Sequence, residues 1–307
     1  MKHTICFTIL ALAAVAASAQ GSTFGIASGP TTGTNYPMAQ NIVDVCSTPQ
    51  AQGSNVVSTG SVDNLFKVYQ DPTAQFGIVQ ADAAVYQQGL DPGMMKKIMM
   101  VFPFFSTEIH LVTKDGSLIT NLAQLEGKRV VEGPEGSGTW VTVQVIKKLT
   151  GIKWQGFYAS QIDGMGAVAA GQADAMFIVA GAPVSLIKTT PGIRLVPLSH
   201  PALDSFGLYT KTMIPTGMYM AAKSGIGTYK VDNMLVTFAF KTERQKEIGD
   251  LVTCITRNIE KFQTAKKADG SSMYHPKWRD VDPLDIDRIK WPAHPAAVAA
   301  IKREAKK

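Results

Sequence analysis

Three times between residues 23 and 149 this chain repeats one device: a short β-rich run, a turn of Gly, Ser, Thr and Asn, and then a helical pattern. Residues 23–28 (TFGIAS) read as a strand, 28–37 (SGPTTGTNYP) as the turn and 36–46 as the helix. Residues 55–59 (NVVST) run into the polar turn 58–64, and Leu65, Phe66, Val68 and Tyr69 follow as apolar helical positions. Residues 129–132 (RVVE) run into 133–139 (GPEGSGT), and the next helix carries Val141, Val145, Ile146 and Leu149 on one face. Strands alternating with helices in this way specify an α/β fold with mainly parallel sheets.

The rest of the chain extends the pattern. Residues 76–80, 98–105, 108–113, 173–179, 193–197, 219–222 and 231–240 read as further strands. Residues 82–87, 121–127, 165–171 and 243–262 read as helices, and 295–307 as a final short one. The stretch 269–295 is rich in Pro, Trp and Asp and shows little periodicity. The expected division is lobe I from 20–114 plus 214–307, and lobe II from 115–213, with hinges near 113–116 and 210–216.

The N-terminus specifies the compartment. Lys2 and His3 precede an apolar run at 5–17 broken only by Thr8, and Ala17-Ser18-Ala19 supplies a small-x-small cleavage site. These are the parts of a secretory signal peptide cleaved after Ala19, and the run is shorter than the ~20 residues a membrane span needs. Cys6 lies inside the run, not at the cleavage point, so no lipid anchor is expected. Removing 19 residues from 307 leaves 288, enough for two domains. The net charge of +6 falls to about +5 without Lys2 and is spread thinly; its densest stretch is Lys302, Arg303, Lys306 and Lys307. Nucleic acid is therefore not an expected partner. Cys46 and Cys254 survive cleavage and suggest one disulfide, although sequence leaves the pairing open.

The turns carry the chemistry. Glycines let backbone approach a ligand closely, and the first turn of a helix offers free N–H groups and partial positive charge to an anion. All three turns lie at carboxyl ends of strands, where open α/β sheets form their ligand crevice. Ligand contacts are expected from Gly33, Thr34, Asn35 and Tyr36, from Ser61 and Asn64, and from Ser137, Gly138 and Thr139. Gln80 and Asp82 share a face at a strand end, as do Glu108 and His110 on a crossover strand. Gln80, Asp82 and His110 join the expected site, with Pro183 lining lobe II and Tyr219 closing over the solute. Ser61, Asn64 and Asp82 serve equally well as helix caps, Glu108 and His110 as a mutually satisfied hinge pair, and Trp140 as core or as a wall of the site. No Arg falls in the turns, which points to recognition by backbone dipoles and neutral donors.

Rival chemistries lack their residues. Gly133 and Gly138 have P-loop spacing, but Thr139 stands where the Lys belongs. Thr31 breaks a dinucleotide fingerprint after Gly29, and neither a G-x-S-x-G nor a CxxC occurs. Histidines 110, 200, 275 and 294 have no triad context. No cofactor, no metal and no catalysis are expected.

At these same residues the chain resembles the TAXI family of solute receptors. The matching stretches are 28–37 (SGPTTGTNYP), 58–65 (STGSVDNL), 76–86 (FGIVQADAAVY) and 105–112 (FSTEIHLV). They continue through 121–139 (NLAQLEGKRVVEGPEGSGT), 171–183 (GQADAMFIVAGAP) and 214–219 (IPTGMY). Pro30 and Asn35 depart from the first-loop pattern usual in relatives, and the match fades after 265. The resemblance implies a type II periplasmic binding protein, two α/β lobes joined by a two-segment hinge with the ligand cleft between them. It also implies a sodium-coupled tripartite ATP-independent (TRAP) permease as partner, and a glutamate-like amino acid or 2-oxo acid as ligand. The expected protein is thus a monomeric periplasmic receptor for a small carboxylate. Two alternatives stay open: a ligand-sensing adapter for a signalling partner, and a secreted α/β hydrolase.

Overall fold

The computed structural model describes residues 22–242 and 244–306. The expected signal peptide at 1–19 and its cleavage after Ala19 lie outside the described residues.

Ten strands form one mixed sheet among the described residues, in the order β2-β1-β3-β10-β4-β7-β5-β6, with β8 on β4 and β9 on β10. The first half begins with β1 (Ser22–Gly29), α1 (Asn35–Cys46), β2 (Ala51–Val57), α2 (Ser61–Gln70), β3 (Phe76–Gln80) and α3 (Ala81–Leu90). Here β1 pairs in parallel with both β2 and β3. After a short α4 (Pro92–Met95), β4 (Ile98–Lys114) carries the chain into the second half. That half holds β5 (Arg129–Val131), α5 (Gly138–Thr150), β6 (Gln155–Phe157), α6 (Gln161–Ala169) and β7 (Ala175–Ala180). It continues with α7 (Ser185–Thr189), β8 (Ile193–Val196), α8 (Pro201–Asp204) and β9 (Tyr209–Ile214). The chain returns along β10 (Ile226–Phe238) and closes with α9 (Gln245–Arg257), α10 (Ile259–Thr264) and α11 (Pro295–Glu304).

Two long antiparallel strands hold the halves together. One end of β4 and β10 pairs from Ile98 with Phe238 up to Glu108 with Lys230; beyond it β4 pairs with β7 and β8, and β10 with β9. The expectation of two separate strands at 98–105 and 108–113 gives way to this single 17-residue β4. Ser106 and Thr107 interrupt the apolar run, but both are paired at the crossover. Ser106 Oγ donates to Asp232 at 2.6 Å and Thr107 Oγ1 to the Val231 carbonyl at 3.3 Å. Pro103 has no N–H for the ladder, and the register with β10 slips beside it, between Asp232 and Met234.

Other expectations are corrected in the return segment. Residues 219–222 form a turn, and the strand pair is instead β9 with a β10 that starts at Ile226. The single helix expected over 243–262 is broken at Asn258 into α9 and α10. The Asn258 side-chain amide takes the Cys254 carbonyl at 2.9 Å, the local competition that makes Asn a poor helix-interior residue.

Buried apolar residues surround the sheet on both faces. One cluster packs α1, α9 and α11 on the first half through Ile26, Met38, Ile42, Phe102, Val252 and Ile301. Another covers the second half through Met165, Val168, Ile178, Ile187 and Leu195. The aperiodic stretch after 265 belongs to the first half. Its Trp278 is fully buried, stacked on Phe262 with ring centroids 4.0 Å apart and edge-on to Phe104 at 5.3 Å. Tertiary packing fixes this segment; no repeating pattern does.

Cys46 and Cys254 are bonded, joining the end of α1 to α9 across 208 residues of sequence. Constraining so long a loop in the unfolded chain stabilises the fold by about 2–4 kcal/mol. Reduction, or the paired change Cys46→Ser and Cys254→Ser, is expected to lower the thermal midpoint by roughly 5–15 °C. Calorimetry with and without reductant checks this; an unchanged midpoint would show that the bridge contributes nothing.

Candidate functional site

The cleft between the two halves is built from helix beginnings. Thr34 and Asn35 open α1, Gly60 and Ser61 open α2, and Gln80 precedes α3. From the other side, Ser137, Gly138 and Thr139 open α5, while Ser160, Gln161 and Ile162 open α6. Five N-terminal turns thus face one space of about 130 Å³, room for roughly ten water-sized atoms at ~10–15 Å³ each. Each turn carries N–H groups without intrahelical partners and a partial positive charge.

Capping leaves many of those donors unused. Ser137 and Ser160 cap their helices, accepting from the Trp140 and Asp163 N–H groups. The N-cap side chains of α1, α2 and α3 make no capping bond, although Asp82 Oδ1 takes the Ala83 N–H in the first turn of α3 at 2.8 Å. The Thr34 hydroxyl donates instead to the Gly181 carbonyl at 2.9 Å, across the cleft, and Ser61 Oγ accepts from the Gln80 N–H at 3.2 Å. No ionisable side chain is among the described residues that line the cleft. Its field therefore comes from backbone dipoles.

The halves touch at the cleft rim. The Val62 N–H donates to the Gly136 carbonyl at 3.1 Å. Gly60 has φ +133°, and a Cβ there would lie 3.1 Å from Ser137 Cα and 3.2 Å from Gly138 N. The Gln80 side chain occupies the space beside Gly138, where a Cβ would fall 1.4 Å from its Oε1. Glycine is required at Gly60, where a positive φ meets the backbone of the opposed half; at Gly138 a Cβ would displace the Gln80 side chain.

Eight expected site residues line this cleft: Gly33, Thr34, Asn35, Ser61, Gln80, Ser137, Gly138 and Thr139. Six do not, because the protein uses them elsewhere. The Asn64 amide donates to the Ser28 and Ile78 carbonyls, binding α2 to the ends of β1 and β3. Tyr36 gives its carbonyl to Asn55 Nδ2 at 3.0 Å. His110 and Tyr219 form a buried chain: His110 Nδ1–H donates to the Ile178 carbonyl, the Tyr219 hydroxyl to His110 Nε2, and the Val184 N–H to the Tyr219 oxygen. Burial lowers the His110 pKa to about 4, so the ring is neutral, as this chain requires. Pro183 lies beyond Gly181 and Ala182, outside the lining. Glu108 and His110 do not pair with each other: Glu108 takes the Lys277 ammonium at 2.6 Å and the Ala182 N–H at 2.7 Å. Trp140 packs edge-on to Tyr86 and Tyr158, off the cleft.

Sequence reasoning missed Thr59, Thr107, Ser160, Gln161, Ile162, Val179, Ala180 and Asn233, which also line it. Ser160 was legible as an N-cap before a helical pattern. Thr107 and Asn233 were not, because they enter the cleft through the pairing of β4 with β10.

The NMT1-like family model matches residues 26–297, nearly the whole of the described chain. The chain belongs to the NMT1-like family. Solved structures share its fold at low identity. A protein from Methylobacillus flagellatus named as the periplasmic sulfonate-binding protein of an ABC transporter superposes with a TM-score of 0.50 at 13% identity, over 93% of this chain and 86% of that one. A chain from Listeria monocytogenes named as an L-cystine ABC transporter gives 0.53 at 15% identity, over 83% of this chain and all of the other. A chain from the study of glutathione import in Streptococcus mutans gives 0.51 at 14%, over 85% and 100%. The fold of this NMT1-like chain is the type II periplasmic binding protein fold.

Asp82, the sixth residue outside the cleft lining, joins the halves behind it. Its carboxylate accepts from Thr142 of α5 at 2.7 Å and from the Tyr209 hydroxyl of β9 at 2.9 Å. Burial raises its pKa to about 6, against the opposing pull of those hydrogen bonds. The folded state therefore holds the Asp82 proton more tightly than the unfolded chain does. Stability from this proton is complete below about pH 4 and is lost as pH rises through 6. Asp82→Asn keeps an oxygen for the Ala83 N–H, which Oδ1 accepts at 2.8 Å, and turns its amide N–H groups to the Thr142 and Tyr209 hydroxyls, which can accept, without the charge. It is expected to be more stable than the native protein at pH 7, by on the order of 1–3 kcal/mol, and to lose this part of the pH dependence. Chemical denaturation at pH 4, 5, 6 and 7 checks this; a variant less stable than the native protein at pH 7 contradicts it.

Proposed function

We propose that this NMT1-like chain is an exported receptor that captures a small organic anion, a carboxylate, between two closing lobes and delivers it to a membrane permease. The observation that carries the reading is the convergence of five helix N-termini on one cleft lined by no ionisable group. Such a lining binds negative charge through N–H groups and hydroxyls without a counter-ion. Among the described lining residues there is no acid or base to activate its Ser and Thr hydroxyls, which favours capture over catalysis. The Cys46–Cys254 bridge fits an oxidising compartment outside the cytoplasm.

In this reading lobe I comprises 20–114 plus 214–307, lobe II comprises 115–213, and β4 with β10 bends between them. Contacts at Gly60, Val62, Gln80 and Asp82 belong to the closed form. The motif resemblance favours a TRAP-type permease. The ABC-transporter names of the solved structures with this fold make an ABC-type permease the second possibility.

Thermal unfolding against a panel of small acids tests the reading. A true ligand at 100 times its Kd adds about 2.7 kcal/mol of stability, and one member of the panel is expected to give that shift. Gly60→Ala places a methyl against the Ser137–Gly138 backbone of the other lobe and is expected to weaken binding at least about tenfold, as measured by calorimetric titration. Absence of any shift across the acids would remove the anion-receptor reading. Unchanged affinity in Gly60→Ala would remove closure at this rim.

A further inference from the structure

Resting on the anion-receptor reading, we infer that the ligand is an anion that also carries a neutral hydrogen-bond donor: a hydroxy acid, whose hydroxyl meets the amide oxygen of Asn233.

Asn233 lies on β10, has no exposed surface and lines the cleft. Its Nδ2 donates to the Phe105 carbonyl at 3.0 Å and to Thr107 Oγ1 at 3.5 Å. Those partners fix the amide, since a flip would set its oxygen against the Phe105 carbonyl. Oδ1 then has no partner within the protein. From the other half, Gln161 lines the same cleft with a buried Oε1 that also lacks a partner. Two buried acceptors therefore stand in a site otherwise furnished with donors. An acceptor sealed from water without a donor is costly, so the ligand that closes this cleft brings one.

Charge decides which donor. An ammonium group would meet the positive ends of five helices and no carboxylate, because the nearby acids are engaged. Asp82 is held by Thr142 and Tyr209, and Glu108 by Lys277 and the Ala182 N–H. A 2-oxo acid or an unsubstituted acid would satisfy the helix ends but leave Asn233 Oδ1 bare. A hydroxyl satisfies Asn233 without adding positive charge. This inference parts from the glutamate-like or 2-oxo ligand that the family resemblance implies.

Matched series separate the classes. Calorimetric titrations use lactate, alanine, pyruvate and propionate; 2-hydroxyglutarate, glutamate, 2-oxoglutarate and glutarate; and isethionate, taurine and ethanesulfonate. The hydroxy member of the series that binds is expected to bind at least about tenfold more tightly than every other member. Asn233→Leu should reduce that preference to less than about threefold, and Asn233→Asp should shift it towards the amino member. Folding of both variants is checked by thermal melting, and the native-protein ranking decides the question even if neither folds. An oxo, unsubstituted or amino member as tight as the hydroxy member overturns the inference while leaving the receptor reading intact. If only sulfonates bind, the carboxylate reading fails and the donor inference is judged within the third series. Binding by no acid overturns both.

Discussion

A helix cannot satisfy its own first N–H groups, and this protein collects that deficit in one place. The strands of both halves deliver their following helices to a common crevice, so α1, α2, α3, α5 and α6 all begin there. In three of them the N-cap side chain makes no bond to the helix. The cleft is polarised without a charged residue, and it is soft chemistry: many weak donors in fixed positions, with no group suited to proton transfer. Two buried acceptors without a partner, Asn233 Oδ1 and Gln161 Oε1, stand apart from that set of donors.

That arrangement depends on how the halves are joined. Among the described residues, the strands that run through both are β4 and β10, paired across the crossover by Glu108 with Lys230 and Ser106 with Asp232. The first half is reinforced independently. The disulfide ties α1 to α9, Trp278 locks the aperiodic tail against Phe262 and Phe104, and Lys277 reaches from that tail to Glu108. The halves also meet through apolar packing, where Ala83, Ala84 and Tyr86 of α3 share one cluster with Val141, Val143 and Trp140 of α5, and through polar contacts: Val62 to Gly136, Thr34 to Gly181, and Asp82 to Thr142 and Tyr209. A reinforced first half and a two-strand connection fit the proposed opening and closing of the cleft.

Periodicity and turn chemistry made much of this legible in advance. The strands β1, β3 and β7 and the helices α1, α2 and α5 follow directly from apolar spacing and from Gly-Ser-Thr turns. Eight residues named from those turns do line the cleft. The failures have local causes. The polar pair Ser106-Thr107 read as a break in a strand because its cross-strand partners are more than 120 residues away. Asn64, His110 and Tyr219 looked like free polar groups, yet each meets a partner that sequence distance hides. Asp82 read as a cap or a ligand group; it does take the Ala83 N–H of its own helix, and its other oxygen is a strut between the halves.

The sequence by itself determined the alternation of strands and helices, the chemistry of the turns between them and the absence of Arg and Lys from those turns. These are properties of neighbouring residues, set by side-chain shape and backbone freedom over spans of ten or so positions. Tertiary structure alone decided which polar groups find a partner within the protein and which do not. Asn233 and Asn64 are the same side chain on paper; one is saturated and the other holds out an oxygen, because pairing across the sheet, not local sequence, places donors around them.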